Sequence, residues 1–509
     1  MYEDALLPFV ASDPQRLQLD VRPPAVIELP HVPVLLAGAA EVDITPPPGM
    51  PKAGHSSNAQ TGTGFRTRLH AHVLHLRAGT TSLALVQCDL LAGSAIVAQL
   101  VAQAVAEDTD VRLPGLFMGA THTHAGPGQF HGNELMNRFS SNHSGFDAAW
   151  TSFLVSRLAG AVRAAVATRR PARLAFGATE VWGLTRNRSL DAYLRNENVD
   201  DKSSTPQRKY AAINPWLHLL RVDAEATEGG LEPLAAMVVF SVHGTGISQR
   251  DHAYNADVWS YLKGELRGHI AATTGHSAVV GAVEGTHGDV APAVRPGQLG
   301  YPETERVGRG IGAAAAGLYD RLEGDLRADL PLAAGLREID LAEHPTLGGI
   351  TLPAPAFGAA TMAGAHENNT PVIHRIPPFR PGMPKRGGTR SARREVDSWR
   401  APPARPARPA GQLPQRAARP GAADRPYGPD RAAVRGNGGV RPPRRGGGSR
   451  RDRTWHRCRP GRRVVAGQRA VLLPDHARGV LAAALRGRQH ALRRAQPALR
   501  RCRSGRPGR

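Results

Sequence analysis

Residues 233–246 read PLAAMVVFSVHGTG, an unbroken apolar run that stops at a histidine and a glycine turn. A short apolar run bounded in this way fits a strand buried on both faces. The layout recurs at 277–292, SAVVGAVEGTHGDVAP. It recurs again at 116–124, LFMGATHTH, where the strand runs into a Gly-Pro-Gly loop. Working outward, alternating or apolar runs at 33–48, 69–79, 81–91 and 173–183 predict further strands, the second and third as a pair. Apolar residues at helical spacing predict helices over 93–108, 148–171 and 305–324. Strands alternating with helices predict an α/β (mixed α+β) domain, with mixed β-sheets, packed helices and polar loops at the strand ends. No internal repeat interrupts this pattern.

The 509-residue chain carries a formal charge of +22, which at first suggests a polyanionic partner. The charge is not evenly spread. Residues 386–509 hold 33 Arg, no Lys and six acidic residues, a net +27, whereas residues 1–385 sum to −5. The tail also lacks Ile, Phe and Met, so it is expected to be disordered for want of a core. Three cysteines, Cys88, Cys458 and Cys502, do not make a disulfide framework or a cysteine zinc knuckle. The first twenty residues lack a basic start and a long apolar run, so no signal peptide is expected, and no stretch reads as a membrane span. As written, a cytoplasmic chain is expected.

His122 and His124 stand two apart at the end of a predicted strand, where alternate residues share a face. His243 ends the strand quoted first. Neutral imidazole is a common zinc ligand, and a catalytic zinc takes about three protein ligands plus an open position. Hydrogen-bonded structural histidines are the competing reading of the same residues.

Several segments, in order along residues 35–385, resemble the neutral/alkaline non-lysosomal ceramidase family. ATHTHAGPG (120–128) resembles its zinc-site motif. AGAAEVDITPPPG (37–49), FRTRLHAHVLHL (65–76), NRSLDAYLRN (187–196), FSVHGTGIS (240–248) and GTHGDVAPAV (285–294) resemble further family segments. The resemblance implies hydrolysis of the ceramide amide bond, to sphingosine and a fatty acid, at one Zn2+ ion per chain. It implies His122 and His243 as metal ligands, with His124 beside the metal as a catalytic residue orienting water or substrate. Arg188 would bind the polar part of the substrate or the developing oxyanion. Asn187, Tyr193 and Asp289 would contribute to substrate binding. The implied chemistry is zinc-assisted attack of water on a polarised carbonyl. Family members are often secreted.

This chain departs from the family twice. The family's G-D-V-S-P-N serine is replaced by Ala291, within Gly288-Asp289-Val290-Ala291-Pro292. A methyl group neither donates a hydrogen bond nor activates a nucleophile. Nearby His287 is read as a loop histidine that could take over a site role. The family's remaining zinc ligands, a Glu and a Tyr, lie beyond residue 385 and find no match here. Read from the second base of each codon, residues 424–437 and 472–493 become compatible with both missing family motifs. The Glu would fall at Arg435 and the Tyr at or just before Leu473. We therefore read the tail as the product of a frame change near residues 385–400.

These readings divide the chain into an N-terminal extension (1–34), an incomplete zinc-hydrolase domain (35–385) and the basic tail (386–509). With two of four metal ligands, the chain as written is expected to bind zinc weakly and to be nearly inactive. One alternative is a hydrolase of a different amide or ester on the same fold. Another is a catalytically dead protein whose tail binds polyanions nonspecifically; sequence-specific nucleic-acid binding is not expected, since the tail has no Lys and only three aromatics, Trp399, Tyr427 and Trp455. The segment 131–147 is expected to form a loop over the site. Resequencing the encoding DNA across codons 380–400 should reveal a missing or extra base; an intact frame would make the basic tail genuine.

Overall fold

The structure is a computed structural model. It describes residues 25–353 except Asn133, Ser144 and Pro296, together with residues 21, 364, 365, 376 and 379. The tail from 386 onward, with Arg435 and Leu473, lies outside the described residues.

One eight-stranded sheet organises the fold. Its strands are β1 (Val32–Asp43), β2 (His70–Gly79), β3 (Thr81–Cys88), β4 (Leu116–Ala120), β5 (Arg170–Glu180), β6 (Trp216–Glu225), β7 (Leu231–Phe240) and β8 (Val279–Glu284), in the spatial order β8-β7-β6-β5-β1-β2-β3-β4. The inner pairings are antiparallel, and the two end pairs, β3–β4 and β7–β8, are parallel. A parallel pair requires a crossover. Helix α1 (Ala95–Val105) supplies it between β3 and β4, and α3 (Val258–Thr274) between β7 and β8. Helix α2 (Ala148–Ala167) links β4 to β5, and α4 (Tyr301–Arg321) follows β8. The mixed α/β architecture expected from the sequence is thus present.

Local chemistry accounts for the elements. Ala78 pairs with Thr81 across a two-residue turn in which Gly79 takes φ +53°, so β2 and β3 form a tight hairpin. Asp147 caps α2 by accepting from the Trp150 amide at 2.8 Å. Asp257 caps α3 and also accepts from the amides of Gly246 and Ile247, 3.0 and 2.9 Å. The cap therefore pins the glycine turn after His243 to the helix.

The sheet folds over on itself, so that β8 packs against β2, β3 and β4. Glycines permit the approach: a Cβ on Gly281 would lie 2.0 Å from Gln87 Oε1 and 3.0 Å from His72 Cβ, and one on Gly119 would lie 2.7 Å from Val283 Cγ1. The folded sheet encloses one apolar cluster that includes Leu35, Leu74, Leu76, Val222 and Met237. Helices α1 and α2 cover a second cluster, and α3 and α4 a third.

β6 and α3 escape the sequence pattern. In β6, Arg221 and Asp223 interrupt the apolar run, yet both are buried and bonded to each other at 2.7 Å. In α3, Gly264, Gly268 and several polar residues obscure the helical stripe, and Lys263 is buried against Asp89 at 2.7 Å.

Gly281→Val should lower stability by about 1–3 kcal/mol or more through overpacking. Gly264 lies in α3, where an added Cβ meets open space, so Gly264→Ala should raise stability by about 0.4–1 kcal/mol. Denaturant unfolding of both variants checks the pair.

Candidate metal centre

The fold brings three strand ends together. The loop after β4 carries His122 and His124, the loop after β7 carries His243, and β8 ends on Glu284 with His287 three residues on. Thr123 bridges Gly244 in parallel fashion, and the His124 amide donates to the Gly244 carbonyl at 3.2 Å. Ring nitrogens of His122, His124 and His243 all lie within 4.8 Å of one another. Ligand atoms of His122, Glu284 and His287 form a second, overlapping group within the same limit. His55 packs edge-on against His124, ring centroids 4.8 Å apart.

Strand alternation is not what aligns His122 with His124. β4 ends at Ala120, and His122 adopts φ +53°. The two rings meet, centroids 4.9 Å apart, because the chain turns rather than because it is pleated.

The hydrogen bonds fix the tautomers. His122 donates from Nδ1 to the Leu91 carbonyl at 2.6 Å, and His243 donates from Nδ1 to the His287 carbonyl at 3.3 Å. Both Nε2 atoms then carry lone pairs, and they face each other at 3.0 Å. Such a pair repels unless a positive group stands by it. Arg188 Nη2 approaches His243 Nε2 at 3.1 Å. His124 is buried, and neither ring nitrogen has a partner. Glu284 Oε2 is likewise buried without a partner. Buried polar atoms are ordinarily satisfied. Converging imidazole lone pairs with a carboxylate nearby form a donor set that fits a first-row divalent metal.

Burial sets the protonation states. It lowers the His122 imidazole to about 3, with His287 contributing. Burial also holds His124 well below the ordinary histidine value, helped by its neighbours His122 and His243. His243 is depressed strongly by burial and then by the Arg188 charge, and His55 falls to about 4 by burial and Lys52. Glu284 moves the other way: burial pushes its carboxyl up to about 9, against the pull of Arg188. His287 donates from Nδ1 to the Gly285 carbonyl, which leaves Nε2 to receive the Glu284 proton across 3.1 Å. At neutral pH the imidazoles are neutral, the form that binds metals.

Arg188 also donates to the Gly288 carbonyl, from Nε at 3.1 Å and Nη2 at 2.9 Å, which aims the guanidinium at His243. Asn187 is buried and fully engaged, donating to Asp289 Oδ2 at 2.7 Å and the Ala212 carbonyl at 2.8 Å while accepting from the Ser189 amide. Asn187 and Asp289 thereby join the strand Thr185–Asn187 to Val290–Pro292, beside the cluster. Tyr193 sits on a short helix, Leu190–Tyr193, with the Arg208 guanidinium over its ring at 5.7 Å. Ala291 is buried on the Val290–Pro292 strand, opposite Arg186. The segment 131–147 contains a helix, Glu134–Ser140, and bonds to Ala53 and Gly54 beside His55. Glu284 and His55 are the cluster members absent from the sequence-based set. Glu284 ends a strand of the same layout as those ending in histidine, a signal that was available. His55 lies in an irregular loop and gives none.

A family model of the neutral/alkaline non-lysosomal ceramidase N-terminal region matches residues 35–301, just over half the chain and every residue of the cluster. The chain belongs to the neutral/alkaline non-lysosomal ceramidase family. The neutral ceramidase of Mycobacterium tuberculosis is 28% identical over 271 residues, covering 49% of this chain and 39% of that protein. The neutral ceramidase of Pseudomonas aeruginosa is 24% identical over 334 residues, covering 62% and 47%. The crystal structure of the Pseudomonas aeruginosa neutral ceramidase aligns with a TM-score of 0.49 at 22% identity, over 58% of this chain and 45% of that one. This ceramidase-family chain spans less than half the length of either curated relative.

The depressed imidazoles make the metal-free protein sensitive to acid. Each histidine has a folded value below its ordinary 6.5, so its contribution to stability is complete above pH 6.5 and is lost as pH falls below it, for His122 toward about 3. The raised carboxyl of Glu284 acts oppositely, its contribution fading as pH rises toward about 9. Unfolding free energies measured without metal at pH 5 and pH 7 should differ less in His124→Gln than in the unmodified chain.

Proposed function

We propose that this chain derives from a zinc-dependent amide hydrolase that cleaves N-acylsphingosine to sphingosine and a fatty acid. The observation that carries the reading is the convergence of the His122 and His243 Nε2 atoms at 3.0 Å, with Arg188 at the edge, beside the unpartnered ring of His124. His122 and His243 would hold the zinc ion, with His124 at its side. Bound there, zinc would supply a Lewis acid that polarises an amide carbonyl and acidifies water.

The remaining roles belong to the protein. Arg188, anchored on the Gly288 carbonyl, presents a fixed positive charge where negative charge grows on the carbonyl oxygen. His124 is buried and neutral, with nitrogens able to orient water or the substrate amide. Asn187 and Asp289 hold the strand pair that sets Arg188 in place, since the Arg188 amide itself donates to the Asp289 carbonyl at 2.7 Å. A lipid amide would be the partner at this site. Among the described residues, no helix is long and apolar enough to cross a membrane.

The two family ligands assigned beyond residue 385, and the frame change that would remove them, make weak hydrolysis the expectation for the chain as written. Ala291 favours a second reading, in which the substrate is another amide or an ester.

Hydrolysis should be followed with N-acylsphingosine in the presence of zinc, for the chain as written and for one with the frame restored. The restored chain should be far more active. In that background, His122→Ala and His243→Ala should abolish turnover, and Arg188→Ala should lower kcat by about 10²–10³. Ala291→Ser should raise the rate on the sphingolipid. Zinc-independent turnover, or full activity in His243→Ala, would overturn the proposal.

A further inference from the structure

His55 is half-buried, packs its edge on His124 with ring centroids 4.8 Å apart, and lies within the field of Arg188. Among the described residues, no hydrogen bond reaches either of its ring nitrogens. The backbone imposes its place. Gly54 and Ser56, on either side, take φ +108° and +50°. A Cβ on Gly54 would lie 2.4 Å from His124 Cγ, so the loop backbone rests on that ring. The Gly54 amide donates to the Ser140 carbonyl at 2.6 Å, and Ser141 Oγ donates to the Lys52 carbonyl at 2.8 Å. The Asn58 amide closes the turn on the His55 carbonyl at 3.0 Å. Left-handed backbone at a residue other than glycine persists only where its surroundings impose it, and such positions gather at ligand sites.

We infer that His55 is a specificity-determining residue of this site, accepting a hydrogen bond from the N–H of the scissile amide. A secondary amide has two polar ends. Its carbonyl oxygen accepts, and the groups suited to it are donors or cations, here Arg188 and a metal. Its N–H donates and needs a lone pair. Lys52 and Arg188 have none to offer. The Nε2 atoms of His122 and His243 face each other at 3.0 Å, where the metal is proposed. His124 is enclosed beneath Gly54, and His287 Nε2 is taken up with Glu284 at 3.1 Å. That leaves His55. It is neutral, since burial lowers it to about 4, and a neutral imidazole carries one lone pair in either tautomer. An ester has the same carbonyl but an oxygen in place of the N–H, so it brings His55 no donor. The residue thus favours amides over esters, the choice that Ala291 leaves open.

The inference rests on the proposal that a lipid amide binds at this site, and the test separates the two. N-acetylsphingosine, and the ester isostere with oxygen in place of its N–H, are titrated into the full-length chain without metal. Both are kept below their aggregation concentrations, and calorimetry reads binding in the absence of turnover. The unmodified chain should hold the amide about 3–10-fold more tightly than the ester, the difference made by one hydrogen bond. His55→Phe keeps a ring against His124 and removes both nitrogens. It should weaken the amide by that factor, leave the ester nearly unchanged and so erase the preference. His55→Gln, which restores an acceptor, should recover part of it. Arg188→Ala should weaken both compounds alike; binding that ignores this change would lie outside the site and overturn the inference. A packing role for His55 predicts a lower thermal midpoint in His55→Phe with the preference for the amide intact, and that result would overturn it too. If the unmodified chain binds both compounds equally, the role of His55 falls and the lipid-amide proposal stands. If neither compound binds, with or without Zn2+, the proposal and the inference fall together.

Discussion

The close packing of β8 on β2, β3 and β4 is the contact on which the rest of the molecule depends. Two crossover units, β3-α1-β4 and β7-α3-β8, lie at opposite ends of one hydrogen-bonded sheet. In a flat sheet their carboxyl ends would be seven strands apart. Only the folding-over sets the loop of His122 against the loops of His243 and Glu284. The absent side chains of Gly281 and Gly119 let the two layers touch. Parallel pairs also place both loop sets at the carboxyl ends of strands, where open α/β sheets bind their ligands.

Much of this was legible in the sequence. Apolar runs ending at a histidine or a glycine turn marked β4, β7 and β8, and alternation before a turn marked β2 and its partner β3. β6 was not legible, because Arg221 and Asp223 satisfy each other inside the core. α3 was hidden by its glycines and by Lys263, whose charge is met by Asp89. Pairings of this kind are properties of the fold and leave no local pattern. The histidines of the site were legible as residue types at strand ends, though the argument from alternation was mistaken. A left-handed residue at His122, and not the pleat, turns the two rings toward each other. Glu284 ends a strand of the same layout as those ending in histidine, and its nearness to His122 follows from the packing of β8 on β4.

The centre is organised against its own neighbours' charge. Burial keeps the imidazoles neutral and discourages ionisation of Glu284, while Arg188 brings a fixed positive charge to the edge of the group. Without a ligand, lone pairs face each other and several polar atoms remain unsatisfied. Local strain of this sort is concentrated at functional sites and is balanced by the well-packed layers around it.

The cap at Asp257 has a consequence for how the centre would be filled. One carboxylate holds the first amide of α3 and the two amides of the turn that follows His243. That turn is consequently tied to a seventeen-residue helix packed on its own apolar cluster. His243 is positioned through the helix. In small zinc domains the metal drives the chain to fold, and its removal denatures them. Under the proposed metal reading the order is reversed: the chain would fold first, and an ion would enter a socket already shaped. On that reading, removing the ion would leave the fold intact and ready to be reloaded.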